Sequence, residues 1–315
     1  MKKTLVMSVL AMGLSVTALA AGSLAAVPGA GVTVTQKAVQ NVAPGGAPAG
    51  QRTLDSVVNW DKGADADIVV MGFGKTNDGN VLMARRAAVV DGYRNLAETI
   101  GGVQVDADTL VKEAMTKSDV IRTNVSAVVK GARIVEEGQL AGDKYYVKMS
   151  LPLYGEKTSV AAAILPETMK NIAYEAPEKV TKKSTVLDKE TFKEVKGLKY
   201  SGIVVDCRGL GLDCTFAPQI LDSNGRGIYG MENIDKDFAV SKGMVEYSKD
   251  MDFAMSGRSR AGSNPLMIKA NGVKGGTNSV NHVNAVVTPE DADKILLAMQ
   301  NNKKVLDDCA VVFVR

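Results

Sequence analysis

The chemistry this 315-residue chain could perform rests on few side chains: one histidine, three cysteines and a lysine that follows a glycine pair. Any Ser-His-Asp or Cys-His arrangement would have to use His282, because no other imidazole exists to take the proton of a nucleophile. That residue lies in Asn278-Ser279-Val280-Asn281-His282-Val283-Asn284 and reads as a solvated loop histidine. A zinc site needs ligand pairs at short spacing, which His282 with Cys207, Cys214 and Cys309 does not supply. Gly72-Phe73-Gly74-Lys75-Thr76 ends like a phosphate loop, but the required earlier glycine would fall at position 69, which is Val69. These glycines are therefore expected to end a strand. No cofactor, no metal and no enzymatic activity are expected.

Two groups remain as candidates. Arg258, Arg260, Asn264, Asn271 and Asn278 are rich in hydrogen-bond donors and sit on glycine-containing loops, a composition that suits a polar ligand such as glycan. Turn-forming chemistry accounts for the same residues equally well. Arg85 and Arg86 suit either an acidic partner or a solvated helix face shared with Asp91 and Glu98. Cys207 and Cys214 flank Arg-Gly-Leu-Gly-Leu-Asp, a loop able to close as a disulfide stabilising by about 2.5 kcal/mol in the chain-entropy model. Three buried thiols are the competing reading, and a Cys214–Cys309 pair would require a proximity that sequence does not reveal.

The start of the chain bears on where this chemistry operates. Lys2 and Lys3 precede an apolar run from Leu5 to Leu14, and Ala18-Leu19-Ala20 supplies small residues two apart. That is the layout of a secretory signal peptide cleaved after Ala20, with Ala26 as the alternative. The apolar run is shorter than the ~20 residues that span a bilayer, and no later segment is apolar and long enough either. Losing Lys2 and Lys3 from 38 basic residues leaves 36 against 35 acidic ones. A near-neutral surface argues against nucleic acid, which rewards clustered Lys and Arg. The mature chain is expected to be exported, to the periplasm or the cell surface.

The elements that must hold the candidate residues follow from pattern. Residues 21–64 read as a flexible N-terminal arm, with a short helix from Thr53 to Asp61. A first α+β domain spans 65–155. It opens with a strand from Asp67 to Gly74. A helix over Asp78 to Ile100 follows, its apolar stripe running Leu82, Val89, Tyr93, Leu96 and Ile100, and Gly101-Gly102 stops it. Ser118 caps a second helix from Asp119 to Val129 with Ile121, Val125 and Val128 on one face. A hairpin pairs Ala132–Glu137 with Lys144–Leu153, whose period of two buries Tyr145, Val147, Met149 and Leu151.

Residues 156–197, with Pro166, Pro177 and many charges, read as an inter-domain connector. The second α+β domain spans 198–315. Its expected elements are a strand from Tyr200 to Cys207, a hairpin turning at Ser223-Asn224-Gly225 and a helix from Asp235 to Tyr247. A strand from Leu266 to Val273, a helix opened by Thr288-Pro289-Glu290-Asp291 and a final strand from Val305 to Val314 complete it. The fold class is thus α+β: two small domains joined by a charged connector.

The run Met83-Ala84-Arg85-Arg86-Ala87-Ala88-Val89-Val90-Asp91-Gly92-Tyr93-Arg94-Asn95-Leu96-Ala97-Glu98, with Gly131-Ala132-Arg133-Ile134-Val135 and Tyr145-Tyr146-Val147-Lys148-Met149, resembles the lipoprotein-20 domain family. That family includes a domain of the flagellar assembly protein T. Gly202-Ile203-Val204-Val205-Asp206-Cys207-Arg208-Gly209-Leu210-Gly211 and Arg260-Ala261-Gly262-Ser263-Asn264-Pro265 resemble an envelope domain that can follow it. The resemblance implies envelope location and assembly roles, with no catalytic residues. The lipid anchor of the lipoprotein members is not carried over, because no cysteine stands near the cleavage site. The function expected is a non-enzymatic exported envelope protein that assembles or scaffolds an envelope or surface appendage. Its partners would be other envelope or appendage proteins, or itself. The alternative is a binding module for cell-wall glycan or another polar ligand through the C-terminal loops.

Overall fold

A computed structural model describes residues 56–277 and 280–315. The expected leader, most of the N-terminal arm and Asn278 lie outside the described residues. The first described strand, β1 (Ser56–Asn59), leads into a 3-10 helix at Trp60–Asp65 and then β2 (Asp67–Lys75). After α1 (Val81–Gly101), α2 (Val111–Lys117) and α3 (Asp119–Lys130) comes a hairpin of β3 (Arg133–Leu140) and β4 (Lys144–Pro152). These strands form one antiparallel sheet in the order β1-β2-β4-β3. The hairpin lies where its alternation puts it, with Val147, Met149 and Leu151 buried. Ser118 caps α3 by accepting from the Ile121 N–H.

The way α1 meets the sheet differs from the expected stripe. Its buried residues are Ala84, Ala88, Gly92, Leu96 and Ile100, four apart, whereas Leu82 is 74% exposed. Small residues face inward because the helix lies almost on the backbone of β2. A Cβ on Gly72 would overlap the Ala88 carbonyl and the Gly92 backbone, and one on Gly74 would overlap the Ala84 carbonyl. Those glycines thus sit inside the strand and admit the helix, in place of ending the strand. Where β1 stops, α1 also satisfies the open edge of β2. Asn95 donates to the Met71 carbonyl at 2.8 Å, and Asp91 accepts from the Phe73 N–H at 2.9 Å. An unpaired strand edge is a pairing hazard, and these side chains occupy it.

Residues 156–197, expected as a connector, carry α4 (Val160–Thr168) and α5 (Lys189–Gly197). Val160, Ala161, Ala163, Ile164 and Leu165 are buried, so this stretch contributes to the core. It lacks the few-contact character of a loose linker, since its short apolar run is flanked by polar residues that masked it. α4 packs between α3 and the later helix α6 (Lys236–Lys242).

The remaining strands are β5 (Ile203–Asp206), β6 (Ile220–Asp222), β7 (Gly227–Tyr229) and β8 (Glu246–Ser248), followed by α7 (Met251–Met255). Then come β9 (Leu266–Lys269), β10 (Gly272–Lys274), β11 (Asn284–Val287), α8 (Pro289–Asn301), α9 (Lys304–Asp307) and β12 (Val311–Val314). One sheet, β8-β12-β5-β9, is parallel throughout. The other, β10-β11-β6-β7, is mixed. A strand covered on both faces reads as a continuous apolar run, as Ile203-Val204-Val205 and Val311-Val312-Phe313-Val314 do. Val204, Val312 and Val314 face Ala254 and Ala261 on one side, while Ile203, Val205, Val311 and Phe313 join the main core on the other.

Four further expectations shift. The Thr53–Asp61 helix is replaced at its described residues by β1 and the 3-10 turn, so order begins before residue 65. The Asp235–Tyr247 helix ends at Lys242, where Gly243 takes a φ of 89° and turns the chain into β8. The Leu266–Val273 strand divides between two sheets, since the Ala270 N–H bonds to Asp206 and the Asn271 N–H to Val286. Val305 and Leu306 make a helical turn, and Cys309, at a φ of 42°, redirects the chain into β12.

Candidate functional site

The donor-rich loops of the second region do not converge. Arg260 donates to the Gly243 carbonyl at 2.6 Å and to the Lys242 carbonyl, and its guanidinium lies over Phe238 at 5.6 Å. Its backbone N–H reaches Glu246 at 2.7 Å. A cation at a helix C-terminus meets the carbonyls the helix leaves open, so this side chain closes α6. The Asn264 carbonyl accepts from the Ser201 N–H, its own N–H donates to Ser201 Oγ, and its side-chain amide donates to the Lys199 carbonyl. Asn271 donates to Ser223 at 3.0 Å. Arg258, Asn264 and Asn271 are exposed, and of the described candidates Arg258 lines a cleft.

The other sequence candidates are equally local. Arg85 makes a two-pronged pair with Glu137 at 2.8 and 3.1 Å. The backbone of His282 is paired with Asp213 in both directions. Cys207, Cys214 and Cys309 are free thiols in place of the considered Cys207–Cys214 pair. Cys207 directly follows β5, where its N–H bonds to Val314 and its side chain enters the core. Burial pushes the Cys207 and Cys214 thiols up to about 12 and that of Cys309 to about 11. They are suppressed as nucleophiles, which act as thiolates.

A buried ionic network escaped the sequence reading. Asp293 on α8 is 1% exposed; it accepts from Thr185 Oγ1 at 2.9 Å, the Val186 N–H at 3.0 Å and Arg226 Nη2 at 2.9 Å. Arg226 also reaches Asp222 at 3.0 Å and Glu178 at 3.2 Å. Burial alone would raise the Asp222 carboxyl, but the N–H groups of Arg226 and Asn224 and the Arg226 guanidinium outweigh it and hold it below the usual range. Buried charges persist only when paired in this way. The network straps residues 178–186 across α8, and Asn301 adds bonds to the carbonyls of Val195, Lys196 and Leu198. The one sequence signal was an acid beside Ile295 and Leu296 on an otherwise apolar helix face.

The cleft has a volume of about 440 Å³ and is lined by Asp61, Ser248, Lys249, Asp250, Phe253 and Arg258. It opens at the C-terminal ends of the parallel strands β8 and β12. Lys249 pairs with Asp61 at 2.6 Å, and Arg315, just after β12, pairs with it at 3.4 Å. Asp250 caps α7 through the N–H groups of Asp252 and Phe253. Arg258 lies over the Phe253 ring at 5.8 Å, with its Nε on Ser256.

Behind the cleft, the 3-10 helix drives Trp60 into an aromatic cluster. Edge-on contacts run to Phe216 at 5.1 Å, Tyr247 at 5.8 Å and Tyr154 at 6.3 Å. Such pairs add about 0.5–1.5 kcal/mol each beyond burial. Beside them the Gln104 carbonyl accepts from Phe216 N and Thr215 Oγ1, and Val105 accepts from Ala217 N. Residues from before 155 and after 200 therefore share one continuous core.

Residues 61–151 match the model of the LPP20 lipoprotein family. This region is an LPP20-like domain. Residues 202–315 match the model of the second domain of Treponema pallidum Tp0624. None of the curated proteins matches the chain. The LPP20-like domain supplies Asp61 to the cleft and Gln104 and Val105 to the junction, and the Tp0624-like region supplies the other cleft residues. The LPP20 match supports an envelope-associated chain. Among the described residues no helix is long and apolar enough to cross a membrane.

Proposed function

We propose that the chain is an exported, non-enzymatic envelope protein that assembles or scaffolds an envelope structure or a surface appendage. The observation that carries this reading is the LPP20-like domain built onto a Tp0624-like region through a shared core. The leader pattern before Ala20 and the near-neutral charge agree with it. Its partners are other envelope or appendage proteins, or further copies of itself. Crosslinking in intact cells, followed by mass spectrometry of the captured proteins, tests this. Crosslinks to exported proteins, in material whose N-terminus begins after Ala20 or Ala26 and bears no acyl group, are expected. Retention of Met1 with crosslinks confined to cytoplasmic proteins contradicts it. The alternative, a polar-ligand module, rests on Arg258, the described candidate that lines the cleft.

A further inference from the structure

We infer that the cleft between the LPP20-like domain and the Tp0624-like region binds a small zwitterion: a free amino acid or the end of a short peptide. The position is the first argument. Open parallel sheets gather ligands beyond the carboxyl ends of their strands, and Ser248 and Arg315 mark those ends for β8 and β12. Size is the second, since about 440 Å³ falls within the range of small-molecule sites, about 300–1,000 Å³.

Charge selects the ligand class. The walls carry two cations, Lys249 and Arg258, and two carboxylates, Asp61 and Asp250. Lys249 and Asp61 already pair with each other at 2.6 Å, so Arg258 and Asp250 remain as one cation and one carboxylate, a balance that a zwitterion matches. Arg258 is set to take the carboxylate. Phe253 supports its plane and Ser256 takes its Nε, so the two Nη groups are the donors left to pair with a carboxylate. Asp250 uses Oδ1 to cap α7, so Oδ2 is available to an ammonium group. This proposal is independent of the scaffolding role, because a scaffold needs no small ligand.

Isotope-labelled mature chain, titrated with glycine, L-alanine, L-phenylalanine and D-alanyl-D-alanine to about 10 mM, tests it by NMR at concentrations suited to weak ligands. Shifts are expected at Ser248, Lys249, Asp250 and Phe253. N-acetylated and C-amidated forms of the same ligands, each lacking one charge, should bind at least tenfold more weakly. Arg258→Gln should abolish the preference for a free carboxylate, and Asp250→Asn, which keeps the cap, should abolish that for a free ammonium. If Arg258→Gln lowers the melting temperature, the modified ligands on the unaltered chain decide the matter. No shift with any zwitterion, shifts confined to other residues, or equal binding of the modified forms overturns the proposal.

Discussion

Arg260 shows how a residue's type can be legible while its task is not. Its donors and its glycine-rich surroundings suggest a ligand surface, but the carbonyls that claim it lie 17 and 18 residues earlier in the chain. Arg260→Ala should therefore destabilise the chain by about 1.5–3 kcal/mol, the range for hydrogen bonds to a charged group. Arg85→Ala, which loses an exposed ion pair, should cost less than ~1 kcal/mol. Urea melts of the two variants compare them directly, and equal effects would remove the capping role. The thiols make a second test. Their values are raised above the ordinary thiol, so the folded chain holds those protons where the unfolded chain releases them. This stabilisation is complete below about pH 9 and is lost as pH rises towards about 11 to 12. Iodoacetamide should leave Cys207, Cys214 and Cys309 unlabelled in the native chain at pH 8 and label all three in urea. Native labelling of Cys207 or Cys309 would show that those two thiols are less buried than described.

Among the elements, those specified by adjacent residues are the ones the sequence discloses. The β3–β4 hairpin, the Ser118 cap and the Thr288-Pro289 opening of α8 all depend on neighbours within a few positions. The inner face of α1 depends instead on what packs against it, and the bulk of Leu82 misdirects the stripe. The glycines of β2 test this packing. Gly72→Ala pushes a methyl group into backbone atoms of α1 and should cost at least the ~1–3 kcal/mol of overpacking. Gly92→Ala meets the Met149 thioether and the Val147 methyl, and the methionine can move aside, so its cost should be smaller. Leu96→Ala, at a fully buried site, should cost about 2–5 kcal/mol. Chemical denaturation of the three variants ranks them; a harmless Gly72→Ala would mean that α1 stands off the sheet.

For the molecule as a whole, the α+β class and the two matched regions are legible, while their union is not. Parallel pairing of β12 with β5 joins residues over 100 positions apart, and no local pattern records it. The same holds for the junction, where Trp60 meets Phe216 and Tyr247, and for the strap that Asp293 holds on α8. Residues read as a connector are consequently core and brace. Lys182 and Lys183 remain exposed in a turn there and should be nicked early by trypsin, yet the two fragments should stay associated until denatured. Fragments that part in native buffer would deny the shared core. The most direct measurement uses the single tryptophan, which lies in the junction itself. Thermal and urea unfolding followed by Trp60 fluorescence and by far-ultraviolet circular dichroism should give one coincident transition, as a single cooperative unit requires. A fluorescence change at the junction well separated from the loss of secondary structure, or two resolved transitions, would contradict the account.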